Sequence, residues 1–299
     1  MHRILLLIAA LALNFVLIGP STIWANSMEP KFVIVSDIDD TIKLSQMRPR
    51  GKYISLIKNI LSMKGAFTAT PQLYQALYDQ GVKIHYVSAT PDRAAFLARS
   101  FLKTSNFPPG TLWTRASLKT VAEDSKVERI TQLMRDHPSS QFILIGDNGE
   151  YDVAAYERIA QSPEFRGRVA KVLIHHLYDG PPSMDILPGQ TPFLTTADLA
   201  WEFHKMGLVS ESQLAAVFEA VIQGLKSNRR IDQERTLPRF TEIDCEQLNR
   251  VAQRLNEMSN PYLRMAFGEI LRLSRDRLFS ATPCPEMLSF KFNGITAVP

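Results

Sequence analysis

Three carboxylates fall together in Asp37-Ile38-Asp39-Asp40-Thr41, directly behind the wholly apolar run Phe32-Val33-Ile34-Val35. Acids in that place can do two things. They can form a turn, because short acids bond their own backbone. They can also act on a ligand, because ligands of open α/β sheets sit outside the carboxyl ends of the strands. Two further apolar runs end in residues suited to the same work. Tyr86-Val87 runs into Ser88, and Ile143-Leu144-Ile145 runs into Gly146-Asp147, followed by Asn148-Gly149-Glu150-Tyr151-Asp152. Between them, Lys126 opens a helical stretch after a polar segment. Taken singly, a serine after a strand or a lysine on a helix is a solvated group. In this order, the acids, hydroxyl and ammonium form a set that phosphoryl transfer needs.

The elements that must position this set are readable from hydrophobic periodicity. Short apolar runs at Lys31 to Ser36, Lys83 to Ser88, Gln141 to Gly146 and Arg168 to His175, with a weaker one at Thr111 to Trp113, alternate with helical patterns. Those helices are predicted over Pro71 to Gln80, Asp92 to Thr104, Ser125 to Asp136 and Tyr151 to Gln161. Alternation of this kind is the mark of a parallel sheet covered by helices on both faces, an α/β fold. From about Thr195 the strand pattern stops. Helices are predicted near Thr196 to Met206, Ser210 to Leu225, Cys245 to Met258 and Pro261 to Leu278, as an α-helical appendage. The polar stretch Lys226 to Arg235 reads as a surface linker.

Composition bounds the alternatives. The chain has 299 residues, 45% hydrophobic and 21% charged, enough for a sizeable core in one or two domains. Residues 1–25 read as a signal peptide: Met-His-Arg, an apolar run from Ile4 to Ile18, then Ile23-Trp24-Ala25 as a small-residue cleavage pattern. The run is short for the roughly 20 residues that span a bilayer. Export to a periplasm or to the medium is therefore expected. The formal charge of +4 falls to +3 once Arg3 leaves, too weak a balance to predict nucleic-acid binding. Two cysteines, Cys245 and Cys284, would either form one disulfide in an oxidising compartment or remain free thiols.

The stretches Val35-Ser36-Asp37-Ile38-Asp39-Asp40-Thr41-Ile42-Lys43, His85-Tyr86-Val87-Ser88-Ala89-Thr90-Pro91, Phe107-Pro108-Pro109-Gly110 and Phe142-Ile143-Leu144-Ile145-Gly146-Asp147, with Asp152 and Tyr156, carry a resemblance. They resemble the haloacid-dehalogenase-like hydrolase superfamily and, within it, the actin-patch-type phosphatidate phosphatase catalytic domain. The resemblance runs from about Phe32 to Ile174 and does not reach the helical tail. It departs from the family at Thr90-Pro91-Asp92, where the family tends to have Ser-Pro-Trp, and at Thr114-Arg115-Ala116, where it has Leu-Arg-Asp. His175-His176 stands where an arginine is expected. The catalytic acids are intact, and these differences bear on substrate.

The resemblance implies a Rossmann-like phosphatase domain over 31–194 with a small cap insertion over 42–70, followed by the α-helical region 195–299. It also implies a Mg²⁺-dependent phosphatase working through an aspartyl phosphate. A phosphate ester repels a carboxylate nucleophile such as Asp37 unless a divalent cation neutralises both. Asp37, Asp147 and the Asp39 backbone carbonyl would supply hard oxygen ligands for Mg²⁺, with Asp152 bound directly or through water. Thr41, Ser88 and Lys126 would hold the phosphoryl oxygens. Asp39 separates hydrolysis from phosphoryl storage, because an acid two residues after the nucleophile can protonate the leaving alcohol and then deprotonate water.

The insertion bears on the substrate. Ile42 to Thr70 holds Lys43, Arg48, Arg50, Lys52, Lys58 and Lys64 and no acid, and Tyr53, Ile54, Ile57, Ile60 and Leu61 recur at helical spacing. That pattern fits a cap helix packed on the core, or an element resting on an anionic lipid or membrane surface. Phosphatidate and small soluble phosphoesters are both open as substrates. A protein that only binds lipid or a partner is the rival from another class, and Asp39 argues against it. His175 and His176, adjacent on a strand, point to opposite faces and so would not share a metal. The helical tail is open to packing on the core, to dimerisation or to contacts with another protein.

Overall fold

The computed structural model describes residues 29–46, 65–116, 121–149, 151–180, 185–280 and 284. The predicted leader and most of the cap insertion, with its basic residues from Arg48 to Lys64 and its apolar stripe, lie outside them. Six parallel strands form one sheet in the order β3-β2-β1-β4-β5-β6. They are β1 (Phe32–Ser36), β2 (Lys83–Pro91), β3 (Thr111–Arg115), β4 (Gln141–Asp147), β5 (Val169–His175) and β6 (Thr191–Phe193). The first helices are α1 (Thr70–Asp79), α2 (Ala95–Thr104), α3 (Ala122–Asp136) and α4 (Asp152–Ala160). The others are α5 (Thr196–Lys205), α6 (Glu211–Lys226), α7 (Arg230–Thr236), α8 (Cys245–Ala252) and α9 (Pro261–Leu278). No helix among the described residues is long and apolar enough to cross a membrane.

Period-two alternation divides each central strand between two cores. Val33, Val35, Phe142 and Leu144 face one cluster with Ile130 and Leu133 of α3 and Val153 and Tyr156 of α4. Ile34, Ile143, Ile145 and Leu173 face a larger cluster that also holds Leu73 of α1, Phe101 of α2, Phe203 of α5, Phe218 of α6 and Phe267 of α9. The C-terminal helices are thus one cover of the sheet itself. Their starts are specified locally by reciprocal capping boxes at Thr195/Asp198, Ser210/Gln213 and Asp244/Gln247, and by Asn260 ahead of Pro261.

The sequence expectation differs from the fold in three places. The stretch Lys226 to Arg235, expected as a surface linker, carries α7, whose Thr236 is buried and lies 3.2 Å (at Cβ) from where a Cβ on Gly224 would stand. The Arg235 carbonyl accepts from the Thr68 amide at 2.9 Å, which ties α7 to the chain entering α1. Strand β6 was not expected, because Thr191-Pro192-Phe193 is too short to show a period. Finally, Asp92 to Thr104 opens with a 3₁₀ turn over Asp92–Ala94, and Cys245 to Met258 divides into α8 and a 3₁₀ turn over Gln253–Glu257.

The two described ends of the insertion meet. Lys43 bridges Ala66, the Leu44 amide donates to the Gly65 carbonyl at 3.0 Å, and the Phe67 amide to that of Ile42 at 3.1 Å. Cys245 and Cys284 form a disulfide.

Candidate active site

Asp37 follows the last residue of β1, and its amide donates to the Ile145 carbonyl at 2.8 Å, so the neighbouring strand fixes where the side chain leaves the sheet. Ser36 supports it from behind, donating to the Asp37 carbonyl at 2.8 Å while its hydroxyl lies 2.8 Å from that of the buried Tyr74. Asp147 ends β4 and accepts from the Gly149 amide at 2.6 Å. Asp152, fully buried in the first turn of α4, accepts from the Asp147 amide at 3.2 Å. Carboxylate oxygens of Asp37, Asp147 and Asp152 lie within 4.8 Å of one another. A Cβ on Gly146 would stand 2.6 Å from the Asp152 Cβ, so glycine is what lets α4 bring that acid against the strand.

Lys126, in the second turn of α3, reaches this cluster. Its Nζ donates to Asp37 at 2.8 Å and also pairs with Asp152. Burial pushes the Asp37 carboxyl well above the usual carboxylate range, against the opposing pull of Lys126 and with the Asp152 charge adding to it. Burial works against the charge of Lys126, yet Asp152 and Asp37 hold it well above the usual lysine range. Among the described residues, this cluster sets three buried carboxyl groups around the Lys126 ammonium. An all-oxygen donor set of this kind fits a hard divalent cation.

The other expected residues sit around this centre. Ser88 is buried, and its Oγ accepts from the Thr90 amide at 3.1 Å. Thr41 is buried with a hydroxyl that has no hydrogen-bond partner among the described residues, an orphaned donor of the kind a bound oxyanion would satisfy. The Asp39 carboxylate is not brought into the acid cluster. It pairs with Lys43 at 2.9 Å and accepts from the Ser45 hydroxyl at 2.5 Å. The third acid of the motif, Asp40, has a backbone in the left-handed region and serves the turn. Its carboxylate accepts from the amides of Ser45 and Gln46 and from the Tyr178 hydroxyl, at 2.9, 2.6 and 2.6 Å.

Two further groups support the site. Asn148 accepts from the amides of Leu177 and Tyr178 and donates to the Tyr178 carbonyl at 2.6 Å, fixing the segment after β5. His175 places Nδ1 at 2.8 Å from the Asp40 carbonyl and Nε2 at 3.2 Å from that of Leu194, between the rings of Phe67 and Phe193. Burial lowers its pKa to about 4, and as a neutral ring it donates to one of these carbonyls and only approaches the other. Asn148 had a signal in its place beside Asp147. His175 had one in its place at the end of a predicted strand; Tyr178 had none, since its partner is 138 residues away.

Residues 32–176 match the family model described as phosphatidate phosphatase APP1, catalytic domain. Over that segment the chain is similar to this haloacid-dehalogenase-like family. The chain is also 30% identical over 148 residues to phosphatidate phosphatase APP1 of Saccharomyces cerevisiae, an overlap that takes in 46% of this chain and 25% of that protein. The chain therefore spans about a quarter of the length of the curated relative it matches. The family segment holds every acid of the cluster together with Ser88 and Lys126, and it ends before Tyr178.

Proposed function

We propose that this protein is a Mg²⁺-dependent phosphatase that hydrolyses phosphomonoesters through an aspartyl phosphate on Asp37, with phosphatidate as its substrate. The observation that carries this reading is the buried cluster of Asp37, Asp147 and Asp152 at the strand ends, with Lys126 held against two of its members. The match of residues 32–176 to that family supports both the reaction class and the lipid substrate. Asp37, Asp147 and Asp152 would hold Mg²⁺, with the Asp39 carbonyl as a further ligand; the bound ion offsets the repulsion between nucleophile and ester.

The protein's own groups account for the rest. A carboxylate oxygen of Asp37 forms a bond to phosphorus as the ester P–O bond breaks, and Asp39, carrying the proton it took from water in the preceding turnover, gives that proton to the departing alkoxide. Lys126, Ser88 and the unpartnered Thr41 hydroxyl hold the phosphoryl oxygens as charge spreads over them. Water then attacks phosphorus, loses a proton to Asp39 and releases phosphate, restoring the Asp37 carboxylate. Asp39 must leave Lys43 and Ser45 to act, so those contacts set its resting position. The disulfide between Cys245 and Cys284 supports export to an oxidising compartment, and the amino terminus of the mature chain is then expected at Asn26.

Asp37→Asn and Asp39→Asn proteins, assayed with Mg²⁺ and an aryl phosphate, should each lose turnover; full activity in either removes the mechanism. Hydrolysis of micellar phosphatidate compared with a panel of soluble phosphoesters tests the substrate. Strict preference for a soluble ester removes the lipid part and keeps the chemistry.

A further inference from the structure

The exposed large hydrophobic side chains of the described residues are Tyr78, Phe96, Val121, Tyr151, Tyr262 and Met265. Three of them share one place in the fold. Phe96 lies in the first turn of α2, Val121 is the residue before α3, and Tyr151 is the residue before α4. These helices follow β2, β3 and β4 in turn, so all three residues lie at the carboxyl edge of the sheet, the edge that carries Asp37, Ser88 and Asp147. Phe96 belongs to the helix packed on one face of the sheet, whereas Val121 and Tyr151 precede helices on the other, so they flank the mouth from both sides. Their exposures are 62%, 58% and 45%.

The rim near Phe96 is raised. Ser36 pairs with Tyr86 in register, and β2 continues to Pro91, five residues further, or about 15 Å past the end of β1 at strand rise. Immediately beyond this lip the chain presents Arg93 in the 3₁₀ turn and then Phe96, Arg99 and Lys103 on α2, all exposed, at intervals of three and four. The acid at this end, Asp92, accepts from Thr114. On the opposite rim, Glu123 and Asp124 are both paired to Arg158, at 2.8 and 2.9 Å.

We infer that this rim docks the mouth of the active site onto an anionic lipid surface, with Phe96, Val121 and Tyr151 as apolar anchors and Arg93, Arg99 and Lys103 meeting the headgroups. The inference rests on the lipid reading of the substrate proposed above. Apolar side chains at separate helix starts around the carboxyl edge, beside cations, suit a flat interface of mixed apolar and anionic character. A phosphate headgroup would then rise from that surface towards acids that are themselves buried.

The test is flotation of the mature full-length chain with phosphatidylcholine vesicles, with and without phosphatidylglycerol, alongside turnover of a soluble aryl phosphate. Wild type should float with the anionic vesicles only and be released by salt. A triple variant, Phe96→Ser with Val121→Ser and Tyr151→Ser, should bind at least ~10-fold more weakly, from the loss of buried apolar area. Two of these changes place serine at a helix N-cap, which favours folding. Arg93→Ser with Arg99→Ser should weaken binding by about 10-fold through lost attraction to the anionic surface. Both variants should keep wild-type turnover of the aryl phosphate. Wild type that does not float, wild type that floats equally with phosphatidylcholine alone, or variants that float like wild type would each overturn the inference. Floating wild type that hydrolyses neither phosphatidate nor the aryl phosphate would keep the docking rim and overturn the catalytic reading instead.

Discussion

Replacing Lys126 by methionine keeps the length of the side chain and removes the ammonium paired with Asp37 and Asp152. Asp37, Asp147 and Asp152 are 4%, 3% and 0% exposed, so solvent does not replace the lost charge. Removing one partner of a buried pair costs about 3–5 kcal/mol. Protonation of Asp37, whose carboxyl burial already pushes upward, returns part of this in the metal-free protein, leaving about 3 kcal/mol at neutral pH. At about 2–4 °C per kcal/mol for a chain of this size, the metal-free melting temperature should fall by roughly 6–12 °C. The variant site lacks an ammonium that opposes a bound cation, so Mg²⁺ should raise the melting temperature of the variant more than that of wild type. Turnover of an aryl phosphate should drop by about 10²–10³, the effect of removing one fixed donor from the transition-state oxygens. Thermal melts with and without Mg²⁺, together with steady-state assays, read these effects separately. A variant that melts with wild type and turns over within about threefold of it, against a loss expected in the hundreds, would falsify the arrangement of Lys126 between Asp37 and Asp152.

Gly146→Ala should displace Asp152, because the new methyl would stand 2.6 Å from the Asp152 Cβ; a fall in aryl phosphate turnover of at least ~10² is expected, and wild-type rates would refute the close approach. His85 accepts from the Trp113 indole at 3.2 Å and has a buried Nε2 without a partner among the described residues. Burial, with Lys83 and His137 adding, lowers its pKa from 6.5 to about 4. The unfolded state therefore binds the extra proton first, so this stability is complete above pH 6.5 and is lost as pH falls towards 4, by up to about 3 kcal/mol. His85→Asn should flatten stability over that window in chemical denaturation series, and an unchanged slope would reject the role. Reduction of the Cys245–Cys284 disulfide, which spans 39 residues, should cost about 4 kcal/mol by loop entropy; identical melts with and without reductant would show that the bridge constrains nothing.

The strands and the site were legible to different depths for physical reasons. A parallel strand buried on both faces has to be apolar along its length, so Phe32 to Ser36 and Gln141 to Asp147 stood out, and the residues at their ends could be read as a site without knowing the neighbours. Pro261 to Leu278 was legible because Pro at its first turn and a long amphipathic repeat mark it locally. Strand β6 was hidden because three residues carry no period. Helix α7 was hidden because its polar sequence is held by contacts with Thr68 and Gly224, which are distant in sequence. Within the site, Asp39 was placed by its spacing from Asp37, but its resting partners Lys43 and Ser45 depend on the turn that Asp40 makes. The spacing of the three motif acids conveys their order along the chain and not which of them faces the cluster.

The family segment stops at 176, yet the catalytic loop is held from beyond it. Tyr178 donates to Asp40 at 2.6 Å, and the Leu194 carbonyl lies against the far nitrogen of His175, whose near nitrogen meets the Asp40 backbone. The sheet has the same dependence. Ile34, Ile143 and Ile145 present one face of the strands that carry Asp37 and Asp147, and that face is covered in part by Phe203, Phe218 and Phe267 of α5, α6 and α9. A large apolar face left uncovered would be an association surface rather than a stable boundary. The chemistry is therefore placed by residues that match the family and clamped by residues that do not. Changes at Tyr178 or Leu194 would reach the turn at Asp40 without touching the acid cluster.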